Sequence, residues 1–177
     1  YCTFKRVMPI VEQLVKAGYD VMPIMSENSY STDTRFGTAE SFIKQLTDIC
    51  GKEPLHEIKQ VEPIGPKGLI DVLVIAPCTG NTMAKIANGI SDTSVTQAAK
   101  SHLRNGRPVI IAVSSNDALG ANAKNLGILL GMRNIYFVPM KQDDPENKPR
   151  SIGAEMERIE ETIEAARKLR QIQPIIM

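Results

Sequence analysis

Asp71-Val72-Leu73-Val74-Ile75-Ala76, running directly into Pro77-Cys78-Thr79-Gly80-Asn81-Thr82, decides the fold. Every residue after Asp71 in the first block is apolar. A strand without alternation is apolar on both faces, as in a parallel sheet covered on both sides. The second block is small, hydroxyl- or amide-bearing, and carries the turn residues Pro77 and Gly80. Met83, Ile86, Ala87 and Ile90 then recur on one face of a helix. The stretch therefore reads as strand, turn and helix.

Working outward, the same unit recurs. Val109-Ile110-Ile111-Ala112-Val113 is a second buried strand, followed by Ser114-Ser115-Asn116-Asp117 and a helix carrying Leu126, Leu129, Leu130 and Met132. Val21-Met22-Pro23-Ile24-Met25 reads as a short strand, followed by Ser26-Glu27-Asn28-Ser29, and Ile135-Tyr136-Phe137-Val138 as a last one. Val7, Val11, Leu14 and Val15 have helical spacing, with Pro9 expected near the first turn and Gly18 as the stop. Phe42, Leu46 and Ile49 mark a helix from Thr38 to Cys50, and a further helix spans Ser94 to Leu103. Ile152, Met156, Ile159, Ile163 and then Leu169 predict the final helix. Residues 52–68 and 141–150 read as loops, and the apolar tail 173–177 as packing on the body or on another subunit.

Alternating buried strands and helices predict a three-layer α/β/α domain over residues 1–177, built on a parallel sheet. A first helix with no strand to set its crossover predicts a strand ahead of Tyr1.

Composition bounds the function. The 177 residues carry 21 basic and 20 acidic side chains, a net charge of +1, which argues against nucleic acid held by bulk charge. At 42% hydrophobic and 23% charged the chain is not of the disordered class. No apolar run reaches the roughly 18 residues of a spanning helix, so no membrane partner is expected. Three cysteines (Cys2, Cys50, Cys78) outside any CxxC pattern suit a reducing, cytoplasmic setting. His56 and His102 are too few for a metal site; His56 reads as a surface residue, and His102, beside Lys100 and Arg104, as part of a solvated face.

In an open parallel sheet, ligands bind beyond the carboxyl ends of the strands. Three such ends share one chemistry: Ser26 to Ser29, Cys78 to Thr82, and Ser114 to Asp117. Hydroxyls and free amides at a helix start hold phosphate without Lys or Arg. The same residue types are also ordinary helix caps, and either reading explains one loop taken alone. No GxGxxG follows a strand and no P-loop is present, so neither an ordinary dinucleotide site nor a nucleotide-triphosphate site is indicated. Cys78 stands where a nucleophile is often placed, yet it is also the small apolar filler that buried cysteine usually is.

The stretch from Ala76 to Asp92 resembles the flavoprotein family of homo-oligomeric flavin-containing cysteine decarboxylases. Their motif is Pro-Ala-Ser-Ala-Asn-Thr, then a helix, Gly-Ile and Asp; here Pro77, Asn81, Thr82, Gly89, Ile90 and Asp92 match. The resemblance covers essentially the whole chain. It is strongest to a branch from spore formers, on Tyr1-Cys2-Thr3, Thr32 to Gly37, Glu62 to Lys67, Leu103 to Val109, Ser115 to Gly120 and Asn134 to Pro139.

The resemblance implies a six-stranded parallel sheet of order 3-2-1-4-5-6 and a trimer-based homo-oligomer with FMN at subunit contacts. It implies a preceding strand that ends in Thr-Gly-Ser and helps hold the flavin phosphate. Cofactor-binding residues are then Ser26, Pro77, Thr79, Gly80, Asn81, Thr82, Ser114 and Ser115, with Asn116 and Arg35 as donors to a small dicarboxylate substrate. The branch implies a second, Rossmann-type subunit, with NAD(P) entering through that partner. The decarboxylases' catalytic histidine has no counterpart in Gln60-Val61-Glu62-Pro63, and of their second motif, Pro-x-Met-Asn-x-x-Met-Trp, only Asn116 survives over 113–120. Decarboxylation is therefore disfavoured, the catalytic residues stay unassigned, and a subunit that has kept the fold but lost the flavin is the alternative.

Overall fold

The computed structural model describes residues 3–177. Tyr1, Cys2 and the strand expected ahead of them lie outside the described residues. Three strands run parallel at the centre, β1 (Leu73–Cys78), β2 (Val109–Ser115) and β3 (Ile135–Phe137). Ile75 pairs with Ile111, and Ile111 with Phe137. Side chains alternate across β2 as a doubly covered strand requires. Val109, Ile111 and Val113 pack with Met83, Ala98 and Leu129; Ile110 and Ala112 pack with Val7, Leu14, Ile159 and Ile163. The apolar reading of the central strands is thus the core itself.

The sheet is mixed among the described residues, not the parallel six-stranded sheet expected. β3 pairs only with the first half of β2, because Pro139 ends the ladder soon after Phe137. The vacant second half takes β5 (Ile152–Ala154) antiparallel, with Ser115 opposite Ile152, and β4 (Met140–Lys141) pairs outside β5. The final helix, α8 (Ile159–Ala166), therefore begins later than its spacing predicted. Ile152, Ala154 and Met156 are all buried, so a period of two and a helical period coincide there. The apolar tail packs on the body: the Met140 amide donates to the Ile175 carbonyl and the Met177 amide to the Met140 carbonyl, at 2.8 and 3.0 Å.

Around the sheet lie α1 (Phe4–Lys16), α2 (Glu27–Ser31), α3 (Ala39–Cys50), α4 (Ile58–Val61), α5 (Gly80–Ala87), α6 (Ser94–Arg104) and α7 (Ala123–Leu130). Pro9 falls inside α1, beyond its first turn, on an exposed face where water can satisfy the freed carbonyl. Part of the expected loop 52–68 is α4 and a 3-10 turn, started by a reciprocal Glu57–Gln60 cap and anchored by the fully buried Val61 and Ile64.

Residues 21–25 are extended but do not form a strand of the sheet. Ile24 makes one bridge to Leu55: the Met25 amide donates to the Leu55 carbonyl at 2.8 Å and the Leu55 amide to the Pro23 carbonyl at 3.0 Å. His102 is fully buried, contrary to the solvated face expected from its charged neighbours. No helix among the described residues is long and apolar enough to cross a membrane.

Candidate functional site

A cleft of about 1030 Å³ opens at the carboxyl edge of β1 and continues between β1 and residues 21–25. Ser26, Ser29, Pro77, Thr79, Asn81 and Thr82 line its mouth. Two of the three loops with shared chemistry therefore meet in one place.

Each loop is organised by its cap. The Thr79 hydroxyl accepts the Thr82 amide at 3.3 Å and donates to the Thr82 hydroxyl at 3.2 Å. Thr79 thus starts α5, whose first amides, on Gly80 and Asn81, have no intrahelical acceptor. The Ser26 hydroxyl accepts the Ser29 amide at 3.2 Å and donates to the Ser29 hydroxyl at 2.9 Å. Capping and ligand contact are compatible here, since Thr79 and Asn81 stay exposed.

The third loop supports the other two and does not line the cleft. Ser115 is buried, and its hydroxyl donates to the Asp117 carboxylate at 2.8 Å. Asn122 donates to both Asp117 oxygens at 3.0 and 2.9 Å, Asn125 donates to Asn122, and Asn88 donates to Asn125. These bonds hold the Asp117 carboxyl below its ordinary range. A Cβ on Gly80 would meet Asn122 Nδ2 and Ser115 Oγ at 2.7 Å and Asp117 Oδ1 at 3.0 Å. Gly80 is required there because the start of α5 rests directly on this network, with a carboxylate near its positive end. Ser114 is tied to Thr3, their hydroxyls 3.1 Å apart. Asn116 is exposed, and Arg35 is exposed with its guanidinium 4.8 Å above the Phe36 ring; neither lines the cleft.

Sequence reading missed Lys85, and it took Asp92 only as a motif match and Glu27 only as part of the Ser26–Ser29 loop; all three line the cleft. Lys85 lies one helical turn beyond Asn81, and that spacing was the available signal. Its ammonium binds Asp92 at 2.8 Å and draws that carboxyl below its ordinary range. Glu27 is engaged elsewhere: its Oε1 accepts the Ser94 amide at the start of α6, at 3.0 Å, while the Ser94 hydroxyl donates to the Met25 carbonyl. Asp92 is thus balanced by Lys85, and the Glu27 carboxylate is turned toward the start of α6. What remains open is a set of hydroxyl, carboxamide and backbone donors beside one ammonium, a donor set that fits a phosphate-bearing ligand. Cys78 is fully buried, and burial pushes its thiol up to about 12, so it is apolar filling at pH 7.

Comparison with known proteins places the chain in a family. The profile of the family described as Flavoprotein matches residues 2–170. The B subunit of dipicolinate synthase from Bacillus subtilis is 45% identical over 177 residues, covering 100% of this chain and 88% of that protein. The crystal structure of the dipicolinate synthase B subunit from Bacillus halodurans superposes with a TM-score of 0.91 at 43% identity, covering 99% of this chain and 90% of the other. A flavin prenyltransferase of Chlamydia muridarum is 28% identical over 149 residues, 78% of each chain. With the family profile matching residues 2–170 and a 45% identical relative covering the whole of this chain, the chain belongs to the Flavoprotein family.

Proposed function

We propose that this chain is the FMN-binding B subunit of a dipicolinate synthase. It would act with a Rossmann-type A subunit in the cytoplasm of a sporulating cell, on a cyclic dicarboxylate intermediate of the lysine pathway. The similarity to the Bacillus subtilis protein supports the assignment, and the relative named as a flavin prenyltransferase supports the flavin. The single observation that carries the site is the meeting of Ser26, Thr79, Asn81, Thr82 and Lys85 at one cleft mouth.

On this reading the amides of Gly80 and Asn81, with the side chains of Asn81 and Thr82, receive the phosphate oxygens. Lys85 balances the charge. Glu27 and Ser94 fix the opposite wall by tying residues 25–27 to α6. Ser114 and Ser115 act from beneath, holding Thr3 and the Asp117 network in place. Bound flavin supplies reversible electron transfer, with NAD(P) reaching the assembly through the A subunit. Asn116 and Arg35, exposed outside the cleft, reach a dicarboxylate where a neighbouring copy closes over them in a trimer-based homo-oligomer.

A second reading has a specific observation behind it. Among the described residues, no free titratable base faces the cleft mouth, because Glu27 and Asp92 are engaged and the Cys78 thiol is buried and protonated. A scaffold subunit that had lost flavin would look like this. The visible absorption spectrum of the purified full-length protein separates the two. Flavin absorbance, or its appearance on adding FMN, supports the first; a colourless protein that takes up no FMN establishes the second.

A further inference from the structure

The two walls of the cleft mouth carry opposite hydrogen-bonding chemistry. The α5 wall offers donors, the first amides of the helix on Gly80 and Asn81. The other wall carries Glu27, whose carboxylate only accepts at neutral pH. Glu27 is held in one place. Its Oε1 accepts the Ser94 amide at 3.0 Å, and the Ser94 hydroxyl donates to the Met25 carbonyl at 2.7 Å. Ser94 is the first residue of the 11-residue helix α6, so the carboxylate also meets the positive end of that helix. The second oxygen, Oε2, has no hydrogen-bond partner among the described residues. It is not sealed in either, since the buried side-chain nitrogens and oxygens without a partner are those of His102 alone among the described residues. Asp92 differs, because both of its oxygens approach the Lys85 ammonium, at 2.8 and 3.0 Å. Beside the donors of the mouth, Glu27 Oε2 is thus the one carboxylate oxygen left open there among the described residues.

A fixed, acceptor-only oxygen across from a phosphate-receiving helix start constrains the ligand. A hydroxyl placed there makes a charge-assisted hydrogen bond, stronger than one between neutral groups. A second phosphate placed there is repelled. The cations that line the cleft do not offset it, because Lys85 is bound to Asp92 and Arg167 to Glu164. Doubly wound sheets divide their ligands in the same way, with a helix start on the phosphate and an acidic side chain on a sugar hydroxyl. We propose that Glu27 is a specificity-determining residue, whose Oε2 accepts a hydroxyl of the chain that bears the phosphate. The mouth then selects the monophosphate ester of a polyhydroxylated chain over a hydroxyl-free chain or a diphosphate. This rests on the reading of the mouth as an FMN site, in which the ribityl chain supplies the hydroxyls. The two oxygens of Glu27 divide the work: the bond to Ser94 aims the carboxylate, and the open oxygen reads the ligand.

Fluorescence titration of the full-length protein with two flavins tests this. One is FMN; the other carries an unbranched pentyl phosphate in place of the ribityl phosphate, and so keeps the phosphate without the hydroxyls. The natural protein is expected to bind FMN at least about tenfold more tightly than the pentyl phosphate flavin. Glu27→Gln keeps a carbonyl oxygen for the Ser94 amide and removes the charge. It is expected to weaken FMN about tenfold while leaving the pentyl phosphate flavin unchanged or bound more tightly, which also shows that the variant's site is folded. Equal weakening of both flavins by Glu27→Gln, or no weakening of FMN, overturns the proposal, because Glu27 then acts only by holding the wall or not at all. Equal affinity of the natural protein for both flavins overturns it too and leaves the FMN reading standing. Binding of neither flavin to the natural protein overturns both.

Discussion

Gly80 and Ser115 meet almost at backbone distance: a Cβ on Gly80 would lie 2.7 Å from the Ser115 hydroxyl. The turn that starts α5 is thereby seated on the loop that follows β2. The seat is rigid, because Ser115, Asp117, Asn122 and Asn125 are linked in one hydrogen-bonded chain.

Gly80→Ala is accordingly expected to displace the start of α5. The contacting atoms are already engaged, so the substitution behaves as overpacking and costs about 1–3 kcal/mol. Urea unfolding should show a lower midpoint with an unchanged slope. A midpoint equal to the natural protein's would mean that the network yields freely.

Lys85 is expected to matter to anion binding although sequence reading passed over it. Lys85→Met removes the ammonium and leaves Asp92 as an unbalanced negative charge on the cleft wall. FMN affinity should fall about tenfold, whereas Lys85→Arg should retain most of it. Fluorescence quenching of FMN reads both, and equal affinities for all three proteins would remove Lys85 from the site.

His102 gives a pH dependence of known sign. Neither ring nitrogen makes a hydrogen bond of ordinary geometry. Burial, and then the nearby Arg107 charge, push its pKa below the ordinary 6.5, against a weaker pull from the Asp71 and Pro108 carbonyls. The unfolded chain therefore takes up the proton first. The stability due to neutral His102 is complete above about pH 6.5 and is lost as pH falls toward the lowered folded value. His102→Leu should flatten the decline of Tm between about pH 7 and pH 5. An unchanged decline would assign it to other groups.

Cys78 is expected to resist alkylation. Its thiol is fully buried and pushed up to about 12. Iodoacetamide applied to the native protein should leave Cys78 unmodified, and peptide mass mapping checks this. Rapid labelling of Cys78 would contradict the buried position.

The parts of the fold legible in sequence were those where a single physical signal acted alone. Leu73 to Ala76 and Val109 to Val113 are apolar at every position, and both are buried strands. Ile152 was misread because its spacing to Met156 satisfies two periods, and only pairing with Ser115 decides between them. His102 was misread because Lys100 and Arg104 suggested solvent. The stronger signal was the set of small residues Ser94, Ala98, Ala99 and Ser101, which lets α6 sit closely against the body. At the site, the motif residues Pro77, Asn81 and Thr82 were legible from the resemblance, and the structure gathers them with Ser26. The supporting role of Ser115 was not legible, since it depends on how closely two loops approach.

The central claim is that the start of α5 holds the phosphate of FMN. Parallel fluorescence titrations with FMN and riboflavin, which differ only in that phosphate, test it most directly. The full-length protein should bind FMN at least about tenfold more tightly than riboflavin, and Asn81→Ala should erase most of that difference. Equal affinity for the two flavins, or no binding of either, would contradict the account.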